Sequence, residues 1–136
     1  MNFKVKVTIL SLFLILSFSS CSSLFGNKKD ASATTAKAGE HSETGIASYY
    51  GDKYEGRPTA SGEKLNQKLL TAAHRTLPFG TMVTITNLKN GKKIRVRIND
   101  RGPFKKERII DVTRKGAEML DFVRDGLTEV KIEYDL

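Results

Sequence analysis

The chain has a single cysteine, Cys21, two histidines and no tryptophan in 136 residues. A lone cysteine excludes a disulfide within the chain, so the core has to be held by packing. One histidine, His41, stands in a stretch with no hydrophobic period, which leaves His74 as the histidine of the patterned region. A zinc site usually draws three or four ligands from Cys, His, Asp and Glu. No metal and no cofactor is therefore expected. Gly51, Gly56 and Gly62 lack the spacing, and the following helix, of a phosphate-binding loop. Ser48 and Ser61 have no nucleophile-elbow context, which argues against acyl transfer. Acidic groups are in the minority, 15 Asp and Glu against 23 Lys and Arg, for a formal charge of +8. A basic balance points to an anionic partner: nucleic acid, an acidic polymer or an anionic membrane face. No apolar run reaches the roughly 20 residues of a membrane-spanning helix.

What is present first is an export signal. Lys4 and Lys6 precede an apolar run from Val7 to Phe18, and the small residues Ser19 and Ser20 precede Cys21. This is the layout of a secretory leader. Residues 1–20 are read as that leader, and its removal lowers the formal charge to +6. Phe18-Ser19-Ser20-Cys21 resembles the lipobox of bacterial lipoproteins, with Phe18 where Leu is usual. That resemblance implies a lipidated Cys21 as the new N-terminus. The alternative is an ordinary leader that leaves a free thiol. Export removes cytoplasmic nucleic acid from the partners, so the charge is assigned to anionic lipid or to acidic groups of the cell wall. Ser22 and Ser23 follow the cysteine without the aspartate that retains some lipoproteins at the inner membrane. The outer membrane is therefore favoured.

Residues 21–44 are rich in Ser, Ala, Thr, Lys and Gly, the composition of a flexible linker. Residues 45–136 read as one folded domain. Strands are expected at Ile46 to Tyr50, Leu69 to His74, Thr81 to Leu88, Lys93 to Asp100, Arg108 to Val112 and Thr128 to Tyr134. Asn90-Gly91 predicts a tight hairpin with both turn residues at positive φ. Thr113 can cap a short helix ending near Phe122 and burying Ala117 and Leu120. Six short strands, one helix and irregular loops predict a mainly β fold, a small closed barrel.

Carboxylate chemistry is what the composition leaves. Ile94, Val96 and Ile98 form one apolar face of their strand, and period two places Asp100 on that same face. A carboxyl in such a row should be partly desolvated, which raises its pKa. A carboxylic acid still protonated near neutral pH is what cleavage of a glycosidic bond needs. The alternative is a cap on the turn Arg101-Gly102-Pro103. Glu63 reads as a loop charge and His74 as a hydrogen-bonded barrel residue. Asp111 lies between Ile110 and Val112 and faces opposite to both, where it can pair with an arginine or support the following helix. Tyr49 and Tyr50 are adjacent on a strand, so one of them is expected to face a groove and stack on a sugar ring. Arg57, Arg75, Arg101 and Arg108 are candidates for contacting acidic groups of a substrate, or solvated charges.

Five blocks occur in order: Ala47 to Gly51, Gly56 to Glu63, Thr71 to Thr81, Asn99 to Phe104 and Arg108 to Thr113. Together they resemble the rare lipoprotein A (RlpA) family of septal-ring lytic transglycosylases. The resemblance covers nearly all of 45–136. It implies a six-stranded double-psi β-barrel, shared with expansins and some endoglucanases. It implies action on peptidoglycan glycan strands, with a preference for strands stripped of stem peptides. The family's catalytic carboxylates and histidine fall on Glu63, His74 and Asp100. Tyr49, Tyr50, Arg57, Arg101 and Asp111 are counted as candidate substrate-binding residues. The family usually has Trp at the position of Tyr49 and Asp-Leu-Ser at Asp111-Val112-Thr113.

The expected activity is endolytic, non-hydrolytic cleavage of the β-1,4 bond from N-acetylmuramic acid to N-acetylglucosamine, leaving a 1,6-anhydro end. Asp100 would donate the first proton, and its conjugate base, with Glu63 or His74, would take the second. A monomer with no nucleic-acid partner is expected. The rival is an expansin-like module that grips glycan in the same groove without cutting it. A structural scaffold lipoprotein is a third class and predicts no glycan affinity.

Overall fold

The structure, a computed structural model, describes residues 39–136. The expected leader and the expected lipidation site at Cys21 lie outside the described residues, as does most of the segment read as linker.

Six strands appear in the expected places: β1 (His41–Tyr49), β2 (Thr71–Ala73), β3 (Met82–Asn87), β4 (Lys93–Asp100), β5 (Arg108–Val112) and β6 (Thr128–Tyr134). They close into a barrel in the order β1-β5-β2-β4-β3-β6. The pairs β1–β5 and β2–β4 are parallel, and the others are antiparallel. Closure leaves no free edge for another chain to extend. The sequence explains the closure: Val83, Ile85, Val96, Ile98, Ile110, Val112, Val130 and Ile132 alternate along their strands and are all sealed from solvent inside.

β1 starts earlier than the expected Ile46. His41 to Ala47 pair with Tyr134 to Thr128 of β6, so the strand runs back into the segment read as linker. His41, expected to be idle there, stacks on Tyr134 with ring centroids 5.7 Å apart.

The β3–β4 hairpin departs from the expected turn. Only Gly91 has positive φ (76°); Asn90 does not. The loop is four residues, Leu88 to Gly91, closed by Asn87 N–H donating to Lys92 O at 2.9 Å. Longer hairpin loops of this kind need one left-handed residue, not two. Asn90 is used elsewhere: its Nδ2 donates to Leu120 O at 3.0 Å. That carbonyl ends the α-helix α1 (Arg114–Leu120). Thr113 caps the start of α1, its Oγ1 accepting from Gly116 N–H at 3.3 Å. A Cβ at Gly116 would sit 3.1 Å from Val112 Cβ, so glycine lets the helix lie close against the barrel. Ala117 and Leu120 are fully buried beneath it.

Candidate active site

A bulge at the end of β4 creates the site. Thr71 and Ala72 of β2 pair with Arg97 and Ile98, but Ala73 pairs with Asp100. Asn99 is the extra residue, and an inserted residue shifts the side-chain alternation by one. Period two therefore fails at this point. Asp100 does not continue the inward row of Ile94, Val96 and Ile98; it is turned to the outer face and is half-buried. A second shift, between Ile46 and Ala47 in their pairing with β5, sets Ser48 opposite Asp111. Asp111 in turn pairs with Ala73. Asp100, Ala73, Asp111 and Ser48 thus form one outward row across β4, β2, β5 and β1.

Asp100, Asp111 and Ser48 of this row line a groove of about 310 Å³ whose walls include Tyr49, Tyr50, Tyr54, Arg101, Phe104 and Arg108. Asp100 is held by three donors. Its Oδ1 accepts from the backbone N–H of Ala60 and of Arg101, each at 2.8 Å. Its Oδ2 accepts from the Tyr50 hydroxyl at 2.8 Å. Burial raises the Tyr50 pKa, and the bond to Asp100 raises it further, so the phenol remains a donor. Ser48 donates its hydroxyl to Asp111 Oδ1. Arg108 Nη1 donates to Ser48 Oγ at 3.2 Å. Burial pushes the Asp111 carboxyl up, against the Ser48 hydrogen bond and the Arg108 charge, and the nearby Asp100 adds to the rise. Asp111 is thus a carboxyl of the row that burial holds back from ionising.

Glu63 and His74 do not line this groove. Arg97 clasps Glu63 with Nη1 to Oε1 at 2.7 Å and Nη2 to Oε2 at 2.9 Å. Asn99 Nδ2 adds a third bond at 3.2 Å. These donors, the Arg97 bond first, hold the Glu63 carboxyl down at about 2. His74 lines a separate small pocket with Glu43, Arg75, Thr76 and Ile109. Its Nδ1 accepts from Thr76 N–H at 3.2 Å and Leu77 N–H at 3.1 Å. That assigns the proton of the neutral ring to Nε2, which sits 3.5 Å from Glu43 Oε1. Burial lowers the His74 pKa, and this outweighs the opposing pull of Glu43. The link from His74 to Asp100 runs through the backbone, His74 N–H to Asp100 O at 3.2 Å.

Both tyrosines reach the groove, where one was expected. β1 ends at Tyr49, so alternation no longer governs Tyr50. The Tyr49 ring packs edge-on against Phe122 at 5.9 Å, and its hydroxyl donates to Val123 O at 3.2 Å. Arg101 is largely committed to the wall. It stacks over Phe79 at 4.1 Å and donates to Leu77 O at 2.8 Å. Arg57 lies 5.2 Å over Tyr54, in an adjoining pocket of about 260 Å³ that Asp100 also lines. Arg75 spends its guanidinium on the carbonyls of Pro103, Lys105, Lys106 and Arg108. Ser48 and Glu43 were missed as site residues. Only the register across β1, β5 and β6 reveals them. Among the described residues no three His, Cys, Asp or Glu side chains are grouped to hold a metal ion.

Residues 42–132 match a sequence family described as "Lytic transglycolase". The chain belongs to that family. It is 55% identical over 95 residues to the endolytic peptidoglycan transglycosylase RlpA of Rickettsia felis, covering 68% of this chain and 42% of that protein. It is 51% identical over 94 residues to the protein of that name from Neisseria meningitidis serogroup A, covering 69% and 39%. The chain thus spans less than half the length of these curated relatives. In fold it is similar to a Streptomyces papain inhibitor, with a TM-score of 0.56, 22% identity and coverage of 71% of this chain and 96% of the other. An expansin from Clavibacter michiganensis gives a TM-score of 0.54 at 16% identity, covering 69% and 50%. These likenesses and the family match agree on the double-psi barrel expected from the sequence.

Proposed function

We propose that this domain is an endolytic lytic transglycosylase that cuts peptidoglycan glycan strands between N-acetylmuramic acid and N-acetylglucosamine. The observation that carries the proposal is the outward row that sets Asp100 and Asp111 in one groove beside Tyr49, Tyr50 and Phe104. The muramyl C6 hydroxyl attacks C1, the C1–O4 bond breaks, and a 1,6-anhydro ring closes. Asp100, fixed by three donors, is placed to take the proton of the attacking hydroxyl. A positioned acid–base group of this kind supplies about 10² to 10⁴-fold in rate.

Glu63 and His74 support that groove as positioning residues. Glu63 clamps Asn99, the bulge residue that turns Asp100 outward. His74 pins Leu77, whose carbonyl holds Arg101 in the wall. The family match and the named relatives support the assignment. The domain works in the bacterial envelope as a monomer on strands freed of stem peptides. It is tethered through a lipid on Cys21 at the periplasmic face of the outer membrane.

The test is digestion of purified glycan strands with mass spectrometry of the new ends. Anhydro-muramyl ends are expected, and Asp100→Asn should abolish them while still sedimenting with insoluble sacculi. Ends carrying one added water identify a hydrolase instead. Binding to sacculi with no new ends identifies a glycan-gripping module of the expansin kind.

A further inference from the structure

Asp111 is the second carboxyl of the row, and its surroundings differ in kind from those of Asp100. Both residues pair with Ala73, so their Cα atoms stand two strand spacings apart, about 9–10 Å. Ala73 contributes only a methyl group between them. Asp100 accepts from three donors, and both of its oxygens are engaged. Those donors fix the orientation of its carboxyl in the groove. At Asp111 the Ser48 hydroxyl occupies Oδ1. No donor among the described residues reaches Oδ2, which leaves it free to carry a proton.

We propose that Asp111 is the general acid of the reaction, supplying the proton to the departing glycosidic oxygen while Asp100 receives the proton of the attacking hydroxyl. The assignment rests on the transglycosylase reading. In the step, the Asp111 O–H bond breaks and its proton passes to O4 as the C1–O4 bond parts. The C6 oxygen bonds to C1, and its proton passes to Asp100. One carboxyl loses a proton and the other gains one, so charge balances, and exchange with water restores the starting state.

The groups that face Asp111 fit this division. Burial opposes its ionisation, and Asp100 on β4 adds to that; together they prevail over Ser48 on β1 and Arg108 on its own strand, which favour the ionised form. The Tyr50 hydroxyl, at the end of β1, is committed to Asp100. A carboxyl whose ionisation burial opposes, set beside one that three donors orient, is a pair suited to two different roles.

The experiment compares two substrates. One is purified glycan strands. The other is a muramyl glycoside with a free C6 hydroxyl and a dinitrophenyl leaving group, which departs without protonation. Asp111→Asn is expected to cut strands about 10² to 10⁴-fold more slowly and to handle the aryl glycoside within about tenfold of wild type. Asp100→Asn is expected to lose both activities. Equal losses of Asp111→Asn on the two substrates, or no loss on strands, overturn the assignment and leave the transglycosylase reading intact. A wild-type domain that yields no anhydro ends overturns both. Should Asp111→Asn fail to fold, Ser48→Ala serves in its place. It removes a donor that favours ionised Asp111, so the alkaline limb of the rate profile should move to higher pH. An unmoved limb counts against the proposal.

Discussion

The Tyr50 hydroxyl donates to Asp100 Oδ2 at 2.8 Å, from a ring that also forms the groove wall. A hydrogen bond to a charged group is worth about 1.5–3 kcal/mol net. Tyr50→Phe keeps the ring and removes the donor. Turnover of glycan strands should fall by about tenfold to a hundredfold, while binding to sacculi holds. Initial rates of anhydro-end release, set beside a sedimentation assay, check this. Equal weakening of binding and turnover would place the hydroxyl on the substrate rather than on Asp100.

Glu63 gives a stability signature with a definite sign. Its folded pKa, about 2, lies below the ordinary 4.5 because Arg97 and Asn99 bind the charged form. A depressed carboxyl stabilises the fold fully above its unfolded pKa and loses that contribution as pH falls through the folded value. Urea midpoints of wild type and Glu63→Gln should therefore differ at pH 7, and the gap should close between about pH 4.5 and pH 2. A gap that persists at pH 2 means that the amide disturbs the loop by shape rather than by charge.

Much of this was legible in the sequence because alternation and caps are local. β4, β5 and β6 have the expected bounds, and Thr113 caps α1 as its position foretells. The site was less legible, and the reason is the pair of bulges. Extra residues at Asn99 and on β5 shift the alternation, and strict period two sends Asp100 to the wrong face. Asp111 was placed on the outer face, but its neighbours depend on a parallel pairing between β1 and β5, which are separated by about sixty residues of sequence. Glu43 was hidden because the composition of residues 21–44 is that of a linker throughout.

Asn87 is the buried polar hinge of the barrel. Its Nδ2 donates to Leu120 O at 2.9 Å, and its Oδ1 accepts from Thr128 Oγ1 at 3.0 Å and Lys89 N–H at 2.9 Å. It thereby ties the end of α1, the hairpin loop and β6 to one point. Asn87→Ala strands the buried Thr128 hydroxyl, at a cost of about 1–3 kcal/mol. For a domain of this size, each kcal/mol lowers Tm by roughly 4–8 °C. Asn87→Asp keeps the acceptor but turns the group facing Leu120 O into a second acceptor, and should do no better. Calorimetry of the three proteins decides; an Ala variant melting with wild type would show that water replaces every bond.

His74 separates a positioning role from a catalytic one. Its ring is neutral in the fold, with Nδ1 accepting two backbone N–H groups and burial lowering its pKa below 6.5. A histidine with a depressed folded pKa contributes stability that is complete above 6.5 and declines as pH falls below that value, because the unfolded chain then binds the proton more readily. His74→Asn places an amide oxygen near the position of Nδ1 and cannot titrate. It should retain most stability and activity at pH 7 and flatten the fall in Tm between pH 7 and pH 5. His74→Ala leaves the N–H groups of Thr76 and Leu77 without their acceptor and should cost about 1–3 kcal/mol. It loosens the Leu77 carbonyl that anchors Arg101, so activity should fall with stability. A His74→Asn protein that melts like wild type but releases no anhydro ends would move the imidazole from the frame of the site into its chemistry.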